Sequence, residues 1–133
     1  MKKKKMYEHI LESKTTLLSI NGKILKSESV GTGTSIVSFS ESEINVFELD
    51  DRFVRLMITT IVGFKPGVIF EIEMEHEQMI EFDECFSKND ILENKDIVAR
   101  LVGPEVSLIV ASVTDKMFQN PLIIPPSLKF KET

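Results

Sequence analysis

The residues whose types could support catalysis or metal binding are few, and His76 between two glutamates is the most suggestive of them. An imidazole and two carboxylates are the groups used for metal binding or acid–base catalysis. The segment around them alternates apolar and polar residues as a β-strand does, and adjacent strand residues point to opposite faces. Glu75, His76 and Glu77 therefore cannot converge without a bulge, and we expect His76 to face inward with Met74.

The other reactive groups give weaker signals. His9 is the second histidine, and the single cysteine, Cys85, excludes an internal disulfide and a cysteine pair for a metal. We interpret Cys85 as a half-buried, weakly apolar residue. The stretch "VGTGTS" at 30–35 is followed by a predicted strand, so it lacks the helix N-terminus of a phosphate site. No Ser-His-Asp set, Cys-His set or HExxH motif is present. The sequence predicts no enzyme activity and requires no cofactor or metal.

Composition and charge limit the remaining functions. The 133 residues are 42% apolar and 28% charged, which predicts one globular domain over 1–133. The net charge is −5 although Lys2–Lys5 add four positive charges within a predicted disordered tail, 1–10. An acidic folded part argues against a nucleic-acid partner. No apolar run approaches the ~18 residues that cross a bilayer, and no signal-peptide core follows the lysines, so we expect a cytoplasmic protein without membrane insertion.

The elements that must position these residues are mainly strands. A period of two predicts five strand segments, at 15–25, 33–39, 43–49, 52–62 and 67–82. Turn residues separate most of them, so we predict a meander-like antiparallel sheet. One face carries the apolar residues Val54, Leu56, Ile58, Val62, Val68, Phe70, Ile72 and Met74. The glutamates that alternate with the last of these face solvent on the other side.

One amphipathic helix follows the strands. Pro104 is typical of a helix start, and Glu105 suits the first turn, so we predict a helix over 104–118. Its apolar stripe consists of Val106, Ile109, Val110, Val113 and Met117. This stripe should pack on the face of the sheet that carries Val54, and Pro121 should end the helix. The fold class is therefore α+β, an antiparallel sheet with a helix on one face.

Two stretches resemble the SecB family of protein-export chaperones. "GPEVSLIVASVTDKMFQNPLIIPPSLKF" (103–130) is similar to the family's proline-initiated helix and the Pro-rich segment after it. "VRLMITTIVGFKPGVIFEIEMEHEQMIEF" (54–82) is similar to its paired strands. The likeness covers roughly 52–130 and implies a SecB-like fold in which Leu122, Ile123 and Ile124 are covered by the fold or by a neighbouring subunit. Better-known members continue into a second helix and an acidic tail, for which this sequence has no counterpart.

The resemblance also implies a function without catalysis. Family members hold unfolded polypeptides in long apolar grooves and pass them to the secretion motor ATPase, which recognises an acidic patch on the sheet. It implies client-binding residues at Phe53, Met57, Ile61, Met79, Phe82 and Phe86. It implies the acidic docking patch at Glu73, to which Glu71 and Glu75 are added because they share its face. It further implies a homo-oligomer, a dimer or tetramer. A module dedicated to one partner, such as an antitoxin, or an orphan interaction domain would need the same features.

Overall fold

The structure is a computed structural model that describes residues 5–24, 37–65, 70–118 and 128–130. Its strands are β1 (Ile10–Ile24), β2 (Val37–Asp50), β3 (Phe53–Lys65) and β4 (Phe70–Phe82). They form one antiparallel sheet in the order β1-β4-β3-β2. Two α-helices follow, α1 (Lys88–Glu93) and α2 (Lys95–Phe118). The predicted α+β class is confirmed.

The sheet is only partly a meander. β2, β3 and β4 are adjacent in sequence and in space, but β1 pairs with β4 at the far edge, so the prediction of a simple meander is wrong for β1. The segments predicted at 33–39 and 43–49 are one strand from Val37 onward, and residues 33–36 lie outside the described part. The strand continues because Ser42 is buried and its hydroxyl lies 2.9 Å from that of Thr60. The hydrogen bond between the two hydroxyls satisfies both buried polar groups.

The two faces of the sheet differ as the alternation predicted. Val54, Leu56 and Ile58 of β3 are buried on the side of the helices, which we call the helix side. Their register partners on β4 are Ile80, Gln78 and His76, and these side chains are buried as well. The opposite surface, which carries the odd-numbered residues of β3 and β4, is called the open face. The alternation therefore assigns each side chain of the two central strands to a face.

Helix α2 begins earlier than the sequence signals predicted. It starts at Lys95 and continues through Pro104, so the prediction of a helix start at Pro104 is wrong. A proline at this position has no N–H to donate to the carbonyl of Arg100, one turn earlier. Burial of Val98 and Val102 upstream of the proline offsets the lost hydrogen bond, since both side chains belong to the core. Packing on the sheet thus overrides the local start signal.

The apolar stripe of α2 packs on the helix side, as predicted. Val106 and Val110 are fully buried in the same cluster as Val54, and Ile109 and Val113 pack against it while partly exposed. The side chain of Met117 lies outside the description. By length and composition alone, Lys95–Lys116 could span a membrane. The same apolar composition is expected of a core helix, and α2 packs against the sheet as a core helix does.

Both ends of the described chain pack onto the sheet. Met6–His9 form a 3-10 helix and Ile10 begins β1, so the prediction of a disordered tail through residue 10 is wrong for these residues. At the other end, Leu128 is buried and the N–H of Ser42 donates to the Lys129 carbonyl at 2.7 Å, which forms a parallel bridge between Ser42 and Phe130. The predicted apolar segment Leu122–Ile124 lies outside the described residues.

The two edge strands carry β-bulges. In β1 the register shifts between Ile10 and Glu12 and again between Leu17 and Ser19, and in β2 it shifts between Val46 and Glu48. The pairing of β3 with β4 shows no such shift along its described length. Each bulge adds one residue to the outer strand and locally increases the twist of the sheet.

Candidate functional site

The open face carries a strip of apolar residues along its centre. Phe53, Met57 and Ile61 of β3 are half-buried there, and Met79 of β4 is half-buried beside Arg55. These four of the predicted client-binding residues therefore share one surface. The strand period of two places them there, since residues i, i+4 and i+8 of one strand lie on the same face. We call this group the apolar strip.

Acidic residues border the apolar strip on both sides. Register partners of Phe53 are Glu81 on β4 and Asp50 on β2, and those of Ile61 are Glu73 and Glu41. The acidic residues that β4 and β2 place on the open face are Glu71, Glu73, Glu75, Glu77 and Glu81 on β4 and Glu41, Glu43, Glu48 and Asp50 on β2. The predicted patch of Glu71, Glu73 and Glu75 is thus part of a wider acidic surface, with Glu73 exposed and the other two half-buried.

Arg55 of β3 interrupts this acidic surface. The Arg55 guanidinium lies 3.6 Å from a Glu48 carboxylate oxygen and 3.8 Å from one of Glu77, and it sits 5.5 Å from the centre of the Phe53 ring. It therefore bridges the two acidic rows across the apolar strip. Because the group is 41% exposed, this pairing orders the surface more than it stabilises the fold.

Phe82 and Phe86 do not belong to the open face. Phe82 is 1% exposed and lies in the core, so the prediction of an exposed client contact at Phe82 is wrong. Its even number places it in phase with Ile80 on the helix side. Phe86 is half-buried and packs edge-on against Phe82, with ring centres 4.8 Å apart, and against His9 at 5.6 Å. Both phenylalanines close the end of the core beneath the N-terminal turn.

A polar cluster lies in the core under α2. His76 is completely buried, its Nε2 is 3.8 Å from Glu105 Oε2, and neither of its ring nitrogens has a hydrogen-bond partner among the described residues. Burial lowers the pKa of His76 below its ordinary value of 6.5, and the Glu105 carboxylate offsets part of this effect. Gln78 accepts a hydrogen bond from Thr15 on the same side. As expected, His76 faces inward, away from Glu75 and Glu77.

One cluster of potential metal ligands was not foreseen. His9 Nδ1 lies 2.7 Å from Asp83 Oδ1, and Nε2 lies 3.9 Å from Glu84 Oε1. The three ligand atoms lie within 4.8 Å of one another. The backbone N–H of Asp83 also donates to the His9 carbonyl, so the cluster fastens the N-terminal turn to the end of β4. Sequence reasoning missed it because only the pairing of Ile10 with Phe82 brings the two segments together.

Cys85 is exposed, so its prediction as a half-buried apolar residue is wrong. The thiol donates to Asp51 Oδ1 at 2.8 Å. This hydrogen bond is the first cause of a raised thiol pKa, because it requires the protonated form. A raised pKa makes the thiol a poor nucleophile near neutral pH.

Comparison with known proteins identifies the fold. No family model and no curated protein matches the sequence. Among solved structures, the chain is similar to a SecB-like chaperone of Mycobacterium tuberculosis, solved in complex with a ChAD peptide from the HigA1 antitoxin. The TM-score is 0.64 at 12% sequence identity, over 87% of this chain and 88% of that chain. The chain therefore has a SecB-like fold, and the similar protein is a chaperone that binds a peptide.

Proposed function

We propose that this protein is a SecB-like chaperone that binds polypeptide segments on the open face of its sheet. The observation that carries the proposal is the apolar strip between two acidic rows on a face that does not hold α2. Apolar side chains give affinity for unfolded segments, and the acidic borders keep the surface soluble and repel acidic chains. Met57 and Met79 add an adaptable surface, since thioethers repack easily around different partners.

A dedicated polypeptide partner fits the findings better than general export. The structurally similar protein is described with a peptide from an antitoxin, which supports one defined client for this chain too. Export remains the second candidate, because Glu71, Glu73 and Glu75 form part of an acidic surface suited to a basic docking partner such as the secretion motor ATPase. Both functions place the protein in the cytoplasm and require no catalysis.

A homo-oligomer is part of the proposal. β1 is an edge strand whose Leu11 and Leu18 are 62% and 47% exposed, and Leu108 of α2 is 70% exposed. Exposed leucines at a sheet edge and on a helix are suited to contacts between copies of the chain. Light scattering should show a dimer or tetramer, and a monomer at working concentration would contradict this part of the proposal.

The test combines aggregation and folding measurements. Met57→Asp with Ile61→Asp should leave the circular dichroism spectrum unchanged, since both sites are only half-buried, but should abolish protection of a slow-refolding client from aggregation. The matched control is Thr16→Asp with Asn45→Asp, which adds the same charge to the same face and removes no apolar side chain. Full protection by the first variant would refute the site, and no protection by the wild type would refute general chaperone activity.

A second experiment separates the two candidates. Lysine substitutions at Glu71, Glu73 and Glu75 should abolish binding of the secretion motor ATPase if the protein serves export. A dedicated chaperone should instead bind one unfolded partner tightly and leave the motor unbound in both forms. Gel filtration of mixtures with purified motor measures this directly.

A further inference from the structure

The edge of β2 that faces away from β3 forms, together with α1, a groove that the proposed function does not use. The cavity has a volume of about 320 Å³ and lies between the edge strand and the first helix. Its lining consists of Ile44, Asn45, Val46, Lys88, Asn89, Leu92, Glu93 and Lys95. This groove lies at the edge of the sheet and is separate from the apolar strip.

Backbone groups of β2 point into the groove. The N–H of Ser42 donates to the Lys129 carbonyl from the edge that faces away from β3. Alternate residues of a strand direct their backbone groups to the same edge, so Ile44 and Val46 present theirs to the groove. The bulge after Val46 ends this regular row. The edge between Ser42 and the bulge therefore has the hydrogen-bonding pattern that accepts an added strand.

The groove has more basic than acidic side chains, whereas the open face of β2 and β4 is mainly acidic. Lys88 and Lys95 line it, and neither forms a salt bridge with a described carboxylate. The ammonium of Lys95 lies 6.0 Å from the centre of the Phe130 ring, which holds it at the end of the groove next to the Ser42 bridge. Glu93 contributes one negative charge to the lining. Two lysines without a salt bridge to a described carboxylate, beside a strand edge, favour a segment that carries a carboxylate.

We infer that the β2 edge groove binds an extended polypeptide segment with an acidic side chain. The segment pairs with the backbone of Ile44 and Val46, and its carboxylate lies between Lys88 and Lys95. The inference rests on the proposed polypeptide-binding function and adds the chemistry of the partner. The two surfaces would then bind different parts of one client. The groove would bind an extended segment with an acidic side chain, and the open face would bind an apolar segment.

The test uses two labelled nonapeptides of alternating valine and threonine, one with a central glutamate and the other with glutamine. The full-length protein should bind the glutamate peptide about fivefold more tightly in fluorescence anisotropy, the range of one partly exposed ion pair. Lys88→Gln and Lys95→Gln should each reduce this preference and leave affinity for the glutamine peptide unchanged. Equal affinity for both peptides in the wild type would overturn the inference.

Backbone pairing is tested at Ile44. Ile44→Pro removes an N–H that faces away from β3, a position where an edge strand tolerates proline, and should abolish binding of both peptides. Asn45→Pro is the matched control, because its N–H faces β3 and its loss should destabilise the sheet itself. If Ile44→Pro does not fold, amide hydrogen exchange in the wild type tests the same pairing. Bound peptide should slow hydrogen exchange at the amides of Ile44 and Val46. Unchanged exchange at both amides in the presence of bound peptide would overturn the inference.

Other occupants of the edge give different results. If residues 131–133 of the same chain fill the groove, peptide would bind only to a variant that ends at Phe130, and the inference fails. If a second copy fills it, the two amides would be protected without peptide and lose protection on dilution, which also overturns it. Peptide binding that is abolished by Met57→Asp with Ile61→Asp but unaffected by Ile44→Pro would refute the groove and retain the proposed function. Absence of binding by either nonapeptide would refute the groove, whereas the proposed function is tested separately by the aggregation assay.

Discussion

Truncation of Phe82 tests the assignment that separates core from surface in this fold. Phe82→Ala removes a ring that is 1% exposed and in edge-on contact with Phe86. Substitutions of this type cost about 3–5 kcal/mol, since a cavity remains where the ring was. The lost aromatic contact, worth about 0.5–1.5 kcal/mol, favours the upper part of that range. For a chain of this size the melting temperature should fall by roughly 10–20 °C.

The measurement is urea unfolding followed by circular dichroism, with Met57→Ala as the control. Met57 is half-buried on the open face, so its truncation should cost about 1 kcal/mol or less. Wild-type unfolding midpoints for both variants would show that Phe82 is not part of the core. If Phe82→Ala kept its stability and lost client protection, the sequence prediction of Phe82 as a binding residue would be restored.

Three further predictions concern the polar cluster, the first helix and the edge strand. The free energy of unfolding should fall as pH decreases below about 6.5, because His76 is then protonated in the unfolded chain while burial keeps the folded imidazole neutral. The free energy of unfolding should fall by up to about 1.4 kcal/mol per pH unit, and this decrease should end below the pKa of His76 in the folded protein. Glu105→Gln removes the charge that raises this pKa and should extend the loss to lower pH, and urea midpoints across the range measure both. Ser87→Ala removes a capping box at α1 and should cost about 1 kcal/mol in urea unfolding. Ser42→Ala leaves the Thr60 hydroxyl buried without its partner and should cost about 1 kcal/mol in the same assay, where no change would refute the importance of the pair.

The alternation of residues was sufficient to predict the two faces of the central strands. The prediction that Leu56 and Met57 lie on opposite faces is confirmed, because adjacent residues of a strand always point to opposite faces. The same rule places Phe82 with Ile80, and its prediction as a surface residue came from its position near the end of the strand. The alternation alone predicts that Phe82 lies in the core.

Other features depend on contacts that a local pattern does not contain. Pro104 is a start signal by itself, yet Val98, Val102, Val106 and Val110 recur every four residues and mark a helix that continues through it. The pairing of β1 with β4 arises from a long-range register, and the cluster at His9 depends on it. The basic groove was missed for the same reason, since Lys88 and Ile44 are brought together only by the packing of α1 beside β2.

The bulges in the edge strands limit how this sheet can grow. Along β1 the regular register runs from Glu12 to Leu17 and again from Ser19 to Ile24, and in β2 it runs from Val37 to Val46. An incoming strand can therefore match each edge only between the bulges, although exposed leucines would otherwise favour continuous pairing of sheets. The bulges thus limit the length of chain that can pair continuously with either edge, and they oppose conversion of the sheet to fibres.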